Sequence, residues 1–137
     1  MCALVKQYGP LIGRILLSAI FILAGFNKIT GFENTAGYMA SKGLPMTDVL
    51  LVLTIIIELG GGILILIGWQ ARWAATVIFL FLIPVTVIFH PFWTMEGQEA
   101  MHQYHSFMKN LAIMGGMMYI MVYGAGPLSL GKDNCDT

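Results

Sequence analysis

Ionisable side chains stand inside long apolar stretches of the sequence. Glu58 lies near the middle of one such stretch, and Arg14 and Lys28 lie toward the two ends of another. On insertion scales, a charged side chain at membrane depth costs about 2.5–3.5 kcal/mol. Each of these side chains therefore needs a partner of opposite charge or a water-filled cavity. These three residues are therefore the first candidates for chemistry or for binding.

The residues around Arg14 and Lys28 predict how the first stretch is oriented. Spacings of three and four residues put one polar and small set on a single helix face, which should point into a helix bundle; the set is Arg14, Ser18, Phe21, Gly25 and Lys28. A long guanidinium reaching inward predicts a charge-assisted pair between Arg14 and Glu58. Two interpretations stay open: a structural clamp, or a Glu58 that carries protons or anchors a substrate.

A second group of donors flanks the apolar stretches at one end. If the fourth helix begins early, His102, His105 and Lys109 share one stripe with Tyr119 and Tyr123. His and Lys donate to carbonyl oxygens and aromatic rings cover a flat ligand, so this end suits a carbonyl-bearing amphiphile. The predicted contacts are Asn27, Lys28, His90, Phe92, Trp93, His105, Phe107, Lys109 and Asn110.

Other interpretations compete for the same residues. Tryptophans are expected at membrane interfaces, and lysines such as Lys28 and Lys109 extend toward lipid headgroups. Glu99, His102 and His105 have three-residue spacing that would line one helical face and suit a metal. Haem held between His90 and His105 is a further alternative.

Composition places these residues in a membrane. The chain has 137 residues, of which 58% are hydrophobic and 10% are charged, and its mean hydropathy is +0.80. This number of charges is too small to cover a water-exposed surface. Lipid must therefore cover the surface of the protein. Seven basic and seven acidic residues cancel, which argues against a nucleic-acid partner. Cys2 and Cys135 lie at opposite ends of the chain, which weighs against thiol-disulfide chemistry.

The apolar stretches predict an all-α integral membrane protein. A helix needs about 20 mostly apolar residues to cross a bilayer, and four stretches approach that length. They predict an antiparallel four-transmembrane-helix bundle in a single domain over residues 1–137, with helices at about 11–29, 49–68, 72–89 and 107–123. Four crossings put both termini on one face, and a small excess of Lys and Arg there predicts that they are cytoplasmic.

Several short segments carry a family resemblance. They include Ala24-Gly25-Phe26-Asn27-Lys28, Glu58-Leu59-Gly60-Gly61, His90 with Phe92-Trp93, and Lys109-Asn110. With these segments the chain resembles the DoxX family, and more closely its YphA-like members. The resemblance implies a four-helix protein of the bacterial inner membrane. Some relatives are the membrane part of thiosulfate:quinone oxidoreductases.

Two function hypotheses follow from the residues and the resemblance. In the first, the chain is a quinone-linked oxidoreductase component that works with a soluble or membrane partner. Lys109, His90 and Glu58 would be catalytic, with Lys109 stabilising charge on a carbonyl oxygen and a histidine supplying a proton. Arg14 would join the binding residues. In the second, the chain is a non-catalytic membrane module for binding, assembly or small-molecule permeation.

Overall fold

The computed structural model describes residues 2–131, which form helices and turns with no strand in this range. A 3₁₀ turn at Phe92–Thr94 precedes the last helix. The α-helices are α1 (Cys2–Thr30), α2 (Phe32–Ser41), α3 (Thr47–Ile67, with a π-helical turn at Ile56–Gly60), α4 (Ala71–Phe89) and α5 (Gly97–Tyr123).

Three of these segments are long and apolar enough to cross a membrane: Cys2–Thr30, Thr47–Ile67 and Ala71–Thr94. α1 and α5 begin about ten residues before the predicted starts near Leu11 and Phe107. The connection after α1 also contains a helix, α2. Hydropathy marks only the part of a helix that lipid covers, whereas backbone hydrogen bonds continue into the polar interface.

The helices pack in a row, with α1 against α3, α3 against α4, and α4 against α5. Alanines on α4, including Ala71, Ala74 and Ala75, are buried and let its neighbours approach closely. Met117 and Ile120 of α5 complete the same apolar core. On the far side, an apolar groove of about 590 Å³ runs between α1 and α5.

The contact between α1 and α3 is made backbone to backbone. A Cβ atom added at Gly25 would lie 2.9 Å from the Cβ of Leu59 and 3.1 Å from its backbone nitrogen. One added at Gly62 would lie 3.0 Å from Cγ1 of Ile22. The predicted inward face of α1 is confirmed, since Arg14, Ser18, Phe21 and Gly25 are all buried.

Arg14 joins three parts of the chain, and its predicted pair with Glu58 is wrong. Its Nη1 donates to the carbonyl of Leu66 at 2.7 Å, and its Nη2 donates to that of Leu128 at 2.7 Å. α1 and α3 run antiparallel, so Arg14, near the middle of α1, meets the end of α3, more than two helical turns beyond Glu58. Arg14 therefore binds the final carbonyls of α3, where a cation is favourable, and ties down the terminal segment.

A second arginine acts in the same way at the neighbouring helix. Nη1 of Arg72, at the start of α4, donates to the carbonyls of Met121 and Val122 at 3.0 and 2.7 Å. These are among the last carbonyls of α5, which have no partner within their own helix. Both arginines thus satisfy helix ends on the same side of the bundle.

Candidate functional site

Lys28 and Glu58 form an ion pair between α1 and α3. The Nζ of Lys28 lies 3.0 Å from Oε2 of Glu58, and the two side chains are 27% and 9% exposed. Glu58 lies 11 residues into α3, about 16 Å from its start, which is near the middle of a 21-residue span. A charge there is stable only with a partner, and Lys28 is that partner.

Local sequence explains why these two residues meet. Gly25 lets α1 approach Leu59, and Lys28 stands almost one helical turn further along the same face. Glu58 belongs to the π-helical turn at Ile56–Gly60. A π turn adds one residue to a helical turn, which changes the direction of its side chains, and such turns are frequent at functional sites.

The ion pair borders a cavity of about 490 Å³. α1, α2, α3 and α4 all contribute to its wall, which combines apolar side chains with a few polar ones. The polar or amphipathic residues on the wall are Asn27, Lys28, Thr35, Tyr38, Thr54, Glu58 and His90. Small-molecule sites are typically of this size and have the same mixture of apolar wall and few polar groups.

The short helix α2 covers one side of this cavity. Thr35, Tyr38 and Met39 line it, and the Tyr38 ring stacks on Phe89 of α4 with centroids 5.7 Å apart. The Nζ of Lys42 lies 5.5 Å from the centroid of the Tyr38 ring. The sequence does not predict a site at these residues, because they line the cavity only through the folding of the segment between α1 and α3 into a helix.

His90 ends α4 and lines the cavity. Its Nδ1 lies 2.7 Å from Oε1 of Gln103 on α5. This hydrogen bond holds the ring between the two helices. Gln103 was not among the predicted site residues, although it lies one helical turn before Phe107.

Asn110 and the predicted aromatic residues lie outside this cavity. Asn110 is buried, and its Nδ2 donates to Oγ1 of Thr86 at 3.1 Å, which links α5 to α4. Phe92 makes edge-to-face contacts with Trp93, Tyr104 and Phe107 at 5.2–5.3 Å. These rings therefore contact one another, between the end of α4 and the start of α5.

His105 and Lys109 are exposed and do not line the cavity. The stripe predicted on α5 faces outward, as the exposure of Tyr119 and Tyr123 shows (70% and 73%). The residues of α5 that face the bundle are spaced by four, three and seven positions; they are Gln103, Phe107, Asn110 and Met117. Among residues 2–131, no group of three His, Cys, Asp or Glu side chains could hold a metal ion.

The cavity thus brings together four of the predicted residues: Asn27, Lys28, Glu58 and His90. Arg14 lies about four helical turns before Lys28, near the middle of α1, where it also borders the groove between α1 and α5. The pair carries no net charge, so a neutral ligand could enter without leaving a buried ion uncompensated. Lys28 offers hydrogen-bond donors to such a ligand and Glu58 offers acceptors.

The helices and the buried ion pair define a multi-pass helical membrane protein with a cavity beside the ion pair. Comparison with known proteins agrees, since the DoxX family profile matches residues 9–91. The chain belongs to the DoxX family and is an inner membrane protein.

Three relatives illustrate the range of similarity. The chain is 34% identical to the inner membrane protein YphA of Escherichia coli over 122 residues, covering 89% of this chain and 87% of YphA. It is 36% identical to the inner membrane protein YqjF of the same organism over 127 residues, covering 93% and 92%. It is 26% identical to the Surfeit locus protein 4 homolog of Schizosaccharomyces pombe over 129 residues, covering 93% and 38%. No solved structure matches the chain significantly.

Proposed function

We propose that the cavity binds a quinone headgroup and that the chain is the quinone-binding component of a membrane oxidoreductase. The observation that carries this proposal is the Lys28–Glu58 ion pair on the wall of a largely apolar cavity. A quinone is neutral and lipophilic, and its two carbonyl oxygens only accept hydrogen bonds. It therefore matches a site with apolar walls and a lysine donor.

The ion pair also suits the proton chemistry of a quinone. Reduction to quinol takes up two electrons and two protons, one on each oxygen. Lys28 would donate a hydrogen bond to one oxygen and stabilise the negative charge that develops there. Glu58, paired with Lys28, and His90 would be the groups that exchange protons with the bound ring.

The electrons must come from a partner in this proposal. The sequence has no paired redox cysteines, so we propose a soluble or membrane oxidoreductase subunit that carries its own redox cofactor. Lys109 and His105, which lie away from the cavity, are not needed in this scheme. Neither are Phe92, Trp93, Phe107 and Asn110, whose described contacts hold α4 and α5 together.

We also propose that α5 crosses the bilayer as a fourth antiparallel helix, with both termini in the cytoplasm. α5 has 27 residues, about 40 Å of helix, and it packs extensively along α4. Its first turns, which include Glu99 and His102, would lie in the interface. The basic residues toward the termini support the orientation.

Binding to protein in lipid nanodiscs tests the quinone site. Decylbenzoquinone is added, binding to empty nanodiscs is subtracted, and Lys28→Gln and Glu58→Gln are compared with Lys109→Gln. We expect the two cavity variants to bind at least tenfold more weakly, about 1.4 kcal/mol, while Lys109→Gln binds as the parent does. No saturable binding to the parent, or equal binding by all variants, would remove the quinone site.

An experiment that separates quinone binding from quinone reduction decides between the two function hypotheses. Purification from native membranes under mild detergent, followed by quinone-reduction assays of whatever subunit is retained, tests for the oxidoreductase partner. Saturable quinone binding with a retained redox subunit supports the proposal. Binding with no redox-active subunit retained favours the non-catalytic binding module.

A further inference from the structure

The hydrogen bond between His90 and Gln103 fixes which ring nitrogen carries a proton. Nδ1 of His90 lies 2.7 Å from Oε1 of Gln103, and an amide oxygen can only accept. With Oε1 as the partner, the hydrogen of this bond lies on Nδ1. A neutral imidazole has one N–H, so Nε2 keeps its lone pair and acts as an acceptor.

Nε2 is the nitrogen left for a ligand. Within residues 2–131 it has no hydrogen-bond partner, and His90 lies on the cavity wall with Lys28 and Glu58. In the proposed site, a bound ring would meet Lys28 as a donor and Nε2 of His90 as an acceptor. Such a pair distinguishes between ligands whose oxygens only accept and ligands whose oxygens also donate.

We infer that Gln103 is a positioning residue that holds His90 in the Nδ1–H tautomer and makes the cavity bind quinol more tightly than quinone. This inference rests on the proposed quinone site. A quinol hydroxyl donates to the Nε2 lone pair, whereas a quinone carbonyl placed there sets two acceptors against each other. The second oxygen of either form accepts from Lys28, so that contact does not discriminate.

The selectivity changes the energetics of the bound ligand. A site that binds the reduced form tenfold more tightly raises the midpoint potential of the bound two-electron couple by about 30 mV. A higher potential favours electron transfer from a partner to the bound ring. Gln103 would thus affect the proposed reaction although it does not line the cavity.

The test compares the affinities of two forms of one probe. Decylbenzoquinone and its dithionite-reduced quinol are titrated anaerobically into nanodiscs that contain the full chain. We expect the parent to bind the quinol about tenfold more tightly. Gln103→Leu removes the acceptor and should bring the ratio toward one. Gln98→Leu, on the exposed first turn of the same helix, is the matched control and should leave the ratio unchanged.

The outcomes separate this inference from the proposed function. If neither form binds saturably to the parent, the quinone site itself is refuted and the selectivity with it. If both forms bind with a ratio near one, or the quinone binds more tightly, only the selectivity is overturned. Equal ratios in the parent and in Gln103→Leu also overturn it.

A measurement on the parent protein without ligand tests the inference even if the Gln103 variant does not fold. ¹⁵N spectra of histidine-labelled parent protein near neutral pH report which ring nitrogen is protonated, and His90→Asn identifies the signals of His90. We expect Nδ1 to be protonated and Nε2 to be unprotonated. The reverse pattern, which an amide turned by half a rotation would produce, contradicts the inference.

Discussion

Lys28 at the end of α1 and Glu58 in the middle of α3 lie 3.0 Å apart, and each compensates the charge of the other inside the bundle. The pair belongs to a cavity wall as well as to a helix contact. It therefore links the stability of the fold to the proposed binding function.

A double-mutant cycle should show that this pair is coupled. Glu58→Gln and Lys28→Gln each leave one charge without its partner, whereas the double variant leaves none. We expect the loss in free energy of unfolding of the double variant to be about 1–2 kcal/mol smaller than the sum of the losses of the two single variants. The reason is that the pair is only partly exposed. Thermal unfolding in detergent measures it. Additive costs would show that the two residues do not depend on each other.

Gly25→Ala should destabilise the contact between α1 and α3. The new Cβ would lie 2.9 Å from Cβ of Leu59 and 3.1 Å from its backbone nitrogen, so the helices must separate. We expect a loss of about 1–3 kcal/mol in stability and weaker quinone binding. Gly115→Ala is the control, since nothing lies within 4 Å of its added Cβ. A neutral Gly25→Ala would contradict the close approach of α1 to α3.

Arg14→Gln should destabilise the bundle through its helix ends and leave the cavity intact. Arg14 binds carbonyls of α3 and of the terminal segment, and losing these charge-assisted bonds should cost about 2–3 kcal/mol. Lys6→Gln removes a cation from an exposed position of the same helix and should change stability little. Thermal unfolding measures the loss of stability in each variant, and quinone affinity reports whether the cavity is intact. A large loss of affinity in folded Arg14→Gln would connect Arg14 to the ligand after all.

Accessibility labelling should place the connection between α1 and α3 outside the cytoplasm. In a background of Cys2→Ser and Cys135→Ser, Glu33→Cys and Glu96→Cys should react with an impermeant maleimide added to intact cells. Cys2, which is exposed, should react only after the membrane is opened when it is restored alone in this background. Reaction of residue 33 only from the cytoplasmic side reverses the orientation. Cys135, restored alone in the same background, tests the fourth crossing, because its reaction in intact cells together with residue 96 would exclude that crossing.

The sequence predicted the face of α1 but not its partners. Helical periodicity and the cost of charge in lipid together identify Arg14, Ser18 and Lys28 as inward residues. Which residue each one meets depends on how far α1 slides along α3. That register is set by the contact of Gly25 with Leu59, between residues far apart in the sequence.

The stripe predicted on α5 has the observed periodicity, and in the structure its side chains are exposed. His102, His105 and Lys109 do share a stripe, but they are exposed at the end of a helix where polar side chains reach water without cost. The inward stripe contains Gln103 and Asn110, whose amides hydrogen-bond to His90 and Thr86. Polar residues near a membrane interface do not reveal from sequence alone which side they face.

The contacts of Arg14 set an order for the biogenesis of this protein. Its acceptors at Leu66 and Leu128 follow it by 52 and 114 residues. At about 5–20 residues per second, the last acceptor leaves the ribosome on the order of ten seconds after Arg14. Throughout that time the first helix carries an incompletely bonded cation. The bond from Arg14 to Leu128 is therefore the last of these contacts that can form during synthesis.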